Sequence, residues 1–158
     1  MIRLCRVDSR LLHGQTVYSW YPSLRANAIL IASDEVANDK VRMQVIRLAK
    51  PKDAKLVMKS LEDSIAALNG DAVDKYELIV VTQSVHDACT IAKACKKITS
   101  VNLGGARCHG EAVREIGPVI RLSQSDIDEI AAAMDAGIEF ETRQVADEKI
   151  RVLTKEDL

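Results

Sequence analysis

Residues 78–95, LIVVTQSVHDACTIAKAC, contain the two patterns that decide the fold. The first five residues are almost all apolar, with no alternation of polar positions, which indicates a strand covered on both faces. Ser84 then precedes apolar residues at helical spacing, and Asp87 follows three positions later, as at the start of a helix that a serine caps. A buried strand that leads directly into a helix is the unit of a parallel α/β sheet.

The same alternation extends along the whole chain. Ser60 and Ser123 are also followed by an aspartate three positions later, and two further helices are predicted over 15–20 and 40–49. Apolar runs predict strands at 2–7, 28–32, 55–59, 78–82, 100–103, 119–122 and 138–143. With 158 residues and no Pro-rich linker, we expect a single domain over residues 1–158. Its predicted fold is an open, doubly wound, mainly parallel sheet of six or seven strands with helices on both faces.

Composition excludes several classes of protein. The net charge is −1, so there is no basic field to attract nucleic acid, and one Phe, three Tyr and one Trp leave few rings for base stacking. No apolar stretch approaches the roughly 18 residues of a membrane span, and no secretory signal is predicted. We therefore expect a cytoplasmic protein with four reduced cysteines, without a nucleic-acid partner and without direct insertion into the membrane.

The loop after the first strand, Asp8–Gln15, is the strongest candidate for a site, because doubly wound sheets bind ligands beyond the carboxyl ends of their strands. A neutral imidazole at His13 is a nucleophile that would form a phosphohistidine on attack at phosphorus. Arg10 is suited to clamp phosphoryl oxygens, while Gly14 and Gln15 lie where a helix begins and offer backbone N–H groups. Asp8 is suited either to accept a hydrogen bond from the imidazole or to hold Arg10, and the sequence leaves both alternatives open.

Other strand ends supply candidate supports for a phosphoryl group. Asp34 and Ser84 follow the second and fourth strands, and the simpler alternative is that they cap helices, which for Asp34 is the helix that begins near Asp39. Gly104 and Gly105 begin the loop after the fifth strand and are candidate anion donors. No glycine-rich nucleotide loop is present, since Glu111 stands where a P-loop would need lysine, and no cofactor is predicted.

Two histidines and two cysteines remain as metal-ligand candidates. The spacing of these four residues matches no standard zinc site, so no metal is predicted and buried structural thiols are favoured. The residues are His86, Cys89, Cys108 and His109.

Residues 6–16, RVDSRLLHGQT, resemble the signature R-(I/V)-D-D-R-L-(I/L)-H-G-Q-V of IIB components in the mannose/fructose/sorbose family of the bacterial sugar phosphotransferase system. Ser33–Asp39 resembles the D-D-E-V-A-x-D stretch of this family, and Asn102–Gly105 resembles its N-(I/V)-G-G loop. The resemblance runs the whole length of the chain. It is broken at Ser9, where the family usually has a second Asp, and over 106–109 after the glycine pair.

The resemblance implies a phosphocarrier. Such a protein accepts a phosphoryl group from a phosphohistidine on a IIA partner, carries it on Nδ1 of His13 beside Arg10, and passes it to a sugar brought by the membrane components IIC and IID. The implied activity is that of a protein-Nπ-phosphohistidine–sugar phosphotransferase associated peripherally with the membrane transporter. The implied substrate class is mannose, fructose, sorbose or an amino sugar. The alternative is a regulatory module of the same fold that docks on a regulator or a membrane partner without catalysis.

Overall fold

Six parallel strands form the central sheet of the computed structural model, which describes residues 1–158. The strands in chain order are β1 (Ile2–Asp8), β2 (Ala28–Ala32), β3 (Lys55–Lys59), β4 (Leu78–Thr82), β5 (Ser100–Gly105), β6 (Arg114–Ile116), β7 (Ile120–Leu122) and β8 (Glu139–Glu141). The sheet order is β3-β2-β4-β1-β5-β8, while β6 and β7 pair separately as an antiparallel hairpin. The predicted open parallel sheet is confirmed.

Helices pack on both faces of this sheet. They are a π-helix (Gln15–Trp20) that continues into α1 (Tyr21–Ser23), then α2 (Asp34–Ala37), α3 (Lys40–Leu48), α4 (Leu61–Asn69), α5 (Val85–Ala94) and α6 (Gln124–Asp135), with short 3₁₀ helices at Asp71–Val73 and Lys155–Asp157. No helix combines the length and apolar character that crossing a membrane requires.

The alternation of side chains along the strands divides the core into two layers. Leu30 and Val80 face one layer, which buries residues of α4, α5 and α6. Ile29 and Ile79 face the other, where Trp20 of the π-helix belongs to the same cluster together with residues of α2 and α3. Because β2 and β4 are buried at every position on both faces, they show the continuous apolar runs that indicated parallel strands.

The three predicted serine caps are confirmed. The hydroxyls of Ser60, Ser84 and Ser123 each accept a hydrogen bond from the backbone N–H three residues later, at 3.1–3.2 Å. Only Ser123 also makes the reciprocal bond, in which its own backbone N–H donates to the carboxylate of Asp126 at 2.9 Å. The chain therefore enters α4, α5 and α6 at fixed points beyond the carboxyl edge of the sheet.

The region 119–122 was wrongly predicted as a strand of the main sheet. Its residues Ile120–Leu122 pair with β6 instead, across a turn where Gly117 has a φ of +60°. Ile120 and Leu122 are buried while Arg121 is exposed, which is the alternation of a strand covered on one face only. The strand at 138–143 is also shorter than predicted, because regular pairing with β5 ends at Glu141.

Candidate active site

The parallel register of the sheet places two strand ends side by side. β1 lies between β4 and β5, and Asp8 at the end of β1 is opposite Gly105 at the end of β5. The backbone N–H of Ser9 donates to the carbonyl of Gly105 at 3.0 Å. The loop after β1 is therefore fixed directly to the end of the neighbouring strand.

The loop is anchored by two leucines before it reaches the histidine. The backbone N–H of Leu11 donates to the carbonyl of Asp8 at 2.9 Å, which closes a tight turn. Leu11 has a φ of +57°, in the left-handed region that disfavours a side chain, yet its side chain is buried beside that of Leu12. Burial of both side chains offsets the backbone strain and holds the position of His13.

His13 presents one ring nitrogen to a buried carboxylate and leaves the other available. Its Nε2 lies 2.7 Å from Oδ2 of Asp8, and its side chain is 17% exposed. Nδ1 makes no hydrogen bond within the chain. When Nε2–H donates to Asp8, Nδ1 carries the free lone pair and is the ring nitrogen available to a second group.

Asp8 is fully buried and receives several donors. Its Oδ2 accepts from Nε and Nη2 of Arg6 at 3.1 and 2.9 Å, and its Oδ1 accepts from the backbone N–H of Arg10 at 3.1 Å. Burial alone would raise the pKa of Asp8, but the hydrogen bond from His13 and the charge of Arg6 outweigh it and hold that pKa below its ordinary value. Asp8 is therefore an anionic acceptor for the imidazole.

Arg10 extends from the same loop toward solvent. Its side chain is 59% exposed, with Nε 3.8 Å from Oδ1 of Asp8 and Nη2 donating to Oε1 of Gln15 at 3.3 Å. The sequence allowed Asp8 either to accept from the imidazole or to hold Arg10. In the structure Asp8 does both, because its side chain bonds the imidazole directly and also attracts Arg10. Gly14 immediately precedes the π-helix, and the backbone N–H groups of Gly14 and Gln15 make no hydrogen bond within the chain.

Gly104 and Gly105 allow other groups to approach β5 closely, and the N–H of Gly104 is not a free donor. A Cβ on Gly104 would overlap the carbonyl of Arg143, and a Cβ on Gly105 would overlap the carboxyl group of Asp8. The N–H of Gly104 already donates to Oδ1 of Asn102 at 3.1 Å. The glycine pair therefore lets Asp8 and the chain after β8 approach β5 closely.

Replacement of Gly105 by alanine should displace Asp8 and disorganise the site. We expect Gly105→Ala to lower the free energy of unfolding by about 2 kcal/mol, since overpacking a tight site typically has this cost. Urea unfolding measures the change. Gly70→Ala is the matched control, because a Cβ there would meet its nearest atoms at an ordinary 3.6 Å and Gly70 has a φ of −80°. Equal stability of the two variants would contradict this account of Gly105.

The structure does not join Asp34 and Ser84 to the loop by hydrogen bonds. Oδ1 of Asp34 accepts from the backbone N–H of Leu61 at 2.8 Å and thus links α2 to the start of α4. The hydroxyl of Ser84 caps α5. Ser84 thus performs the capping alternative. Asp34, in contrast, does not cap the helix that begins after Asp39, since Asp39 itself accepts from the backbone N–H of Arg42.

The histidines and cysteines that were weighed as metal ligands are separated by their surroundings. Nδ1 of His86 lies 2.8 Å from Oε1 of Glu129 on α6. Cys89 is fully buried, and burial raises the pKa of its thiol to about 12. Cys108 is half-buried and His109 is exposed. Cys89 is thus the buried thiol that the sequence favoured.

Three residues that stabilise the position of Asp8, directly or through one another, were not predicted from the sequence. Arg6 and Asn102 belong to the quoted motifs but were given no role, and Glu141 was not considered. All three are buried. The signal was present, because a charged or amide side chain inside an apolar strand needs a buried partner.

Comparison with known proteins places the chain among phosphotransferase system proteins. The sequence profile of the family described as PTS system sorbose subfamily IIB component matches residues 2–156. A probable phosphotransferase enzyme IIB component of Streptococcus pyogenes is 37% identical over 103 residues, 65% of this chain and 63% of that protein. The sorbose-specific EIIB component of Klebsiella pneumoniae is 28% identical over 98% of this chain and 94% of its own length.

One relative is a larger protein, and the structural match agrees with the sequence matches. The mannose-specific EIIAB component of Escherichia coli is 27% identical over 97% of this chain, which spans 47% of that protein. The crystal structure of the IIBSor domain of the Klebsiella pneumoniae sorbose permease superimposes with a TM-score of 0.86 at 27% identity, covering 96% of this chain and 92% of that one. The chain belongs to the sorbose subfamily of phosphotransferase system IIB components, which are phosphotransferases.

Proposed function

We propose that the chain is a phosphocarrier that takes a phosphoryl group onto Nδ1 of His13 and passes it to a sugar. The observation that carries this proposal is the pairing of Nε2 with the buried carboxylate of Asp8, which leaves Nδ1 free at a partly exposed position beside Arg10. The donor is a phosphohistidine on a IIA partner. The name of the mannose EIIAB relative, which joins A and B components in one chain, supports that partnership.

The first step transfers phosphorus between two imidazoles. The lone pair of His13 Nδ1 attacks phosphorus, the N–P bond of the donor breaks, and the donor imidazole leaves with the electron pair of that bond. Asp8 accepts from Nε2–H throughout and stabilises the positive charge that the ring gains. The transferred group is anionic, so the guanidinium of Arg10 and the free N–H groups of Gly14 and Gln15 can neutralise its oxygens.

The second step regenerates the imidazole. A sugar hydroxyl attacks the same phosphorus, the N–P bond to His13 breaks, and the hydroxyl proton passes to solvent or to a nearby base. The sugar belongs to the mannose, fructose, sorbose or amino-sugar class and is presented by the IIC and IID membrane components. In this proposal the protein works in the cytoplasm at the surface of the transporter.

Mapping the phosphorylated atom tests the proposal. The chain is incubated with a phosphorylated IIA component, and the adduct is located by mass spectrometry and by phosphorus-31 NMR under alkaline conditions. We expect one acid-labile phosphoryl group on Nδ1 of His13. An adduct on His86 or His109 would contradict the proposal. A stable adduct on His13 that membranes containing IIC and IID cannot transfer to sugar would support the regulatory alternative.

Arg10 should act through the geometry of its guanidinium as well as its charge. Lysine keeps the charge but cannot contact two phosphoryl oxygens with one planar group. We expect Arg10→Lys to slow transfer to His13 by about 10-fold, the effect of losing one charge-assisted hydrogen bond. Rapid-quench measurement of phosphohistidine formation gives the rate. Arg25→Lys, on the surface after α1, is the matched control, and an Arg10→Lys rate equal to that control would exclude a clamp.

A further inference from the structure

Arg6 is a charged side chain fully enclosed in the protein, and it cannot reach the transferred group. It lies in β1 two residues before Asp8 and is 0% exposed. Two of its nitrogens donate to Asp8, and Nη1 donates to Oδ1 of Asn102 at 2.6 Å and to the carbonyl of Arg143 at 3.2 Å. Burial lowers the pKa of Arg6, and the carboxylate of Asp8 opposes that change. A buried guanidinium is costly unless it is paired, so these contacts determine where it lies.

Asn102 fixes Arg6 from the side of β5. Its Oδ1 accepts from Arg6 and from the N–H of Gly104, while its Nδ2 donates to Oε1 of Glu141 and to the carbonyl of Arg143, both at 2.8 Å. Every hydrogen-bonding group of the amide is thus in use. Rotation of the amide would place donors against donors, so its orientation is determined.

The outer side of the cluster is closed by Glu141, Arg143 and Trp20. Nη2 of Arg143 lies 3.2 Å from Oε1 of Glu141, which is 7% exposed. The ring centre of Trp20 lies 5.7 Å from Cζ of Arg6 and 4.9 Å from Cζ of Arg143. With Asp8 the cluster contains two guanidinium and two carboxylate groups, so its formal charges cancel. This balance offsets part of the free-energy cost of burying these charges.

We infer that Arg6 is a positioning residue that selects the nucleophilic nitrogen of His13 through Asp8. An arginine can only donate hydrogen bonds, so its partner oxygen must be an acceptor. Oδ2 of Asp8 contacts both Arg6 and Nε2 of His13, and it therefore requires the proton of the imidazole to be on Nε2. Asn102 and Glu141 hold Arg6 in the position that maintains this requirement. The kinetic part of the inference rests on the proposed function, whereas the tautomer does not.

The tautomer of His13 is measured directly by nitrogen-15 NMR. Long-range couplings between ring protons and nitrogens distinguish Nε2–H from Nδ1–H, and the spectrum of His13→Ala assigns the signal among the three histidines of the chain. We expect the neutral imidazole of wild-type His13 to be in the Nε2–H form. Arg6→Lys keeps the charge but loses the two-pronged contact with Asp8, and we expect it to give a mixture of both tautomers.

Transfer kinetics show whether this selection matters for the reaction. We expect Arg6→Lys to lower kcat for transfer from a phosphorylated IIA component by about 10- to 100-fold, as for misplacement of a reacting group. KM should stay unchanged, because Arg6 has no exposed surface for the donor to contact. Phosphoramidate, a small phosphoryl donor, should show the same loss. Arg121→Lys, in an exposed pair with Glu115 at 3.2 Å, is the matched control.

The outcomes separate the inference from the proposed function. An Nδ1–H form in the wild type, or an Arg6→Lys variant that keeps both tautomer and kcat, would overturn the inference. If Arg6→Lys does not fold, Asn102→Ala removes an anchor of Arg6 while leaving the contact with Asp8, and a smaller change in the same direction is expected. Absence of phosphohistidine on a wild-type chain with a clear Nε2–H signal would refute the proposed function alone.

Discussion

Replacing His13 with alanine should abolish formation of the acid-labile phosphoryl adduct. The variant lacks the only histidine that pairs with a buried carboxylate at the carboxyl edge of the sheet. Its fold should persist, because His13 is partly exposed and the neighbouring leucines carry the burial in this loop. Intact-mass measurement after incubation with a phosphorylated IIA component should show no added phosphoryl group.

The control for this experiment is the exposed histidine His109. His109→Ala removes an imidazole from the loop after β5 and should leave the adduct at wild-type level. Circular dichroism of both variants verifies that they fold. An adduct that persists in His13→Ala would mean that another residue is phosphorylated, and the assignment of His13 as the nucleophile would then be wrong.

Replacing Asp8 with asparagine should reduce both stability and transfer. Arg6 would lose its carboxylate partner within the core, and removal of one member of a buried ion pair costs about 3 kcal/mol or more. The asparagine amide can also present a donor to Nε2 of His13, which would select the wrong tautomer, and we expect transfer to fall by about 100-fold. Urea unfolding and rapid-quench kinetics measure the two effects.

The control removes a carboxylate from an exposed pair. Asp74 lies 2.7 Å from Nζ of Lys97 with its side chain 52% exposed, and Asp74→Asn should change the free energy of unfolding by less than about 1 kcal/mol. An equal decrease in the free energy of unfolding of both aspartate variants would show that the buried Arg6–Asp8 pair contributes no more to stability than an exposed pair.

The buried pair of Arg6 and Asp8 should make the stability of the protein sensitive to acid. The folded-state pKa of Asp8 lies below its ordinary 3.8, so its contribution to stability is complete above about pH 4 and is lost as the pH falls through the folded-state value. In unfolding experiments between about pH 7 and pH 3, the wild type should lose more stability than Asp8→Asn at the acid end. Parallel pH profiles of the two proteins would contradict the assigned direction.

The parts of the fold that follow from local patterns were predictable. Val80 and its neighbours form a continuous apolar run, and Ser84 and Ser123 begin helices that their hydroxyls cap. These features need only the sequence within about ten residues. The hairpin of β6 and β7 was missed, although Arg121 between two apolar neighbours already shows the alternation of a strand with one exposed face.

The site was only partly predictable, because its precise geometry depends on contacts between distant strands. His13, Arg10 and Asp8 lie within six residues, so their proximity follows from the sequence. The contact of Arg6 with Asn102 joins positions 96 residues apart and depends on the sheet order. The positive φ of Leu11 was also unpredictable, because this backbone conformation is disfavoured for leucine. The position holds neither glycine nor asparagine, the residues that would have indicated such a turn.

The position of Trp20 gives the protein a built-in optical reporter. It is the single tryptophan of the chain, is 1% exposed, and donates from Nε1 to the carbonyl of Gln144 at 3.0 Å. Its fluorescence therefore comes from one indole that lies near the guanidinium groups of Arg6 and Arg143. Arg6 in turn donates to Asp8, the carboxylate that pairs with His13. Shifts in its emission can follow loading of the imidazole in real time, without any attached dye.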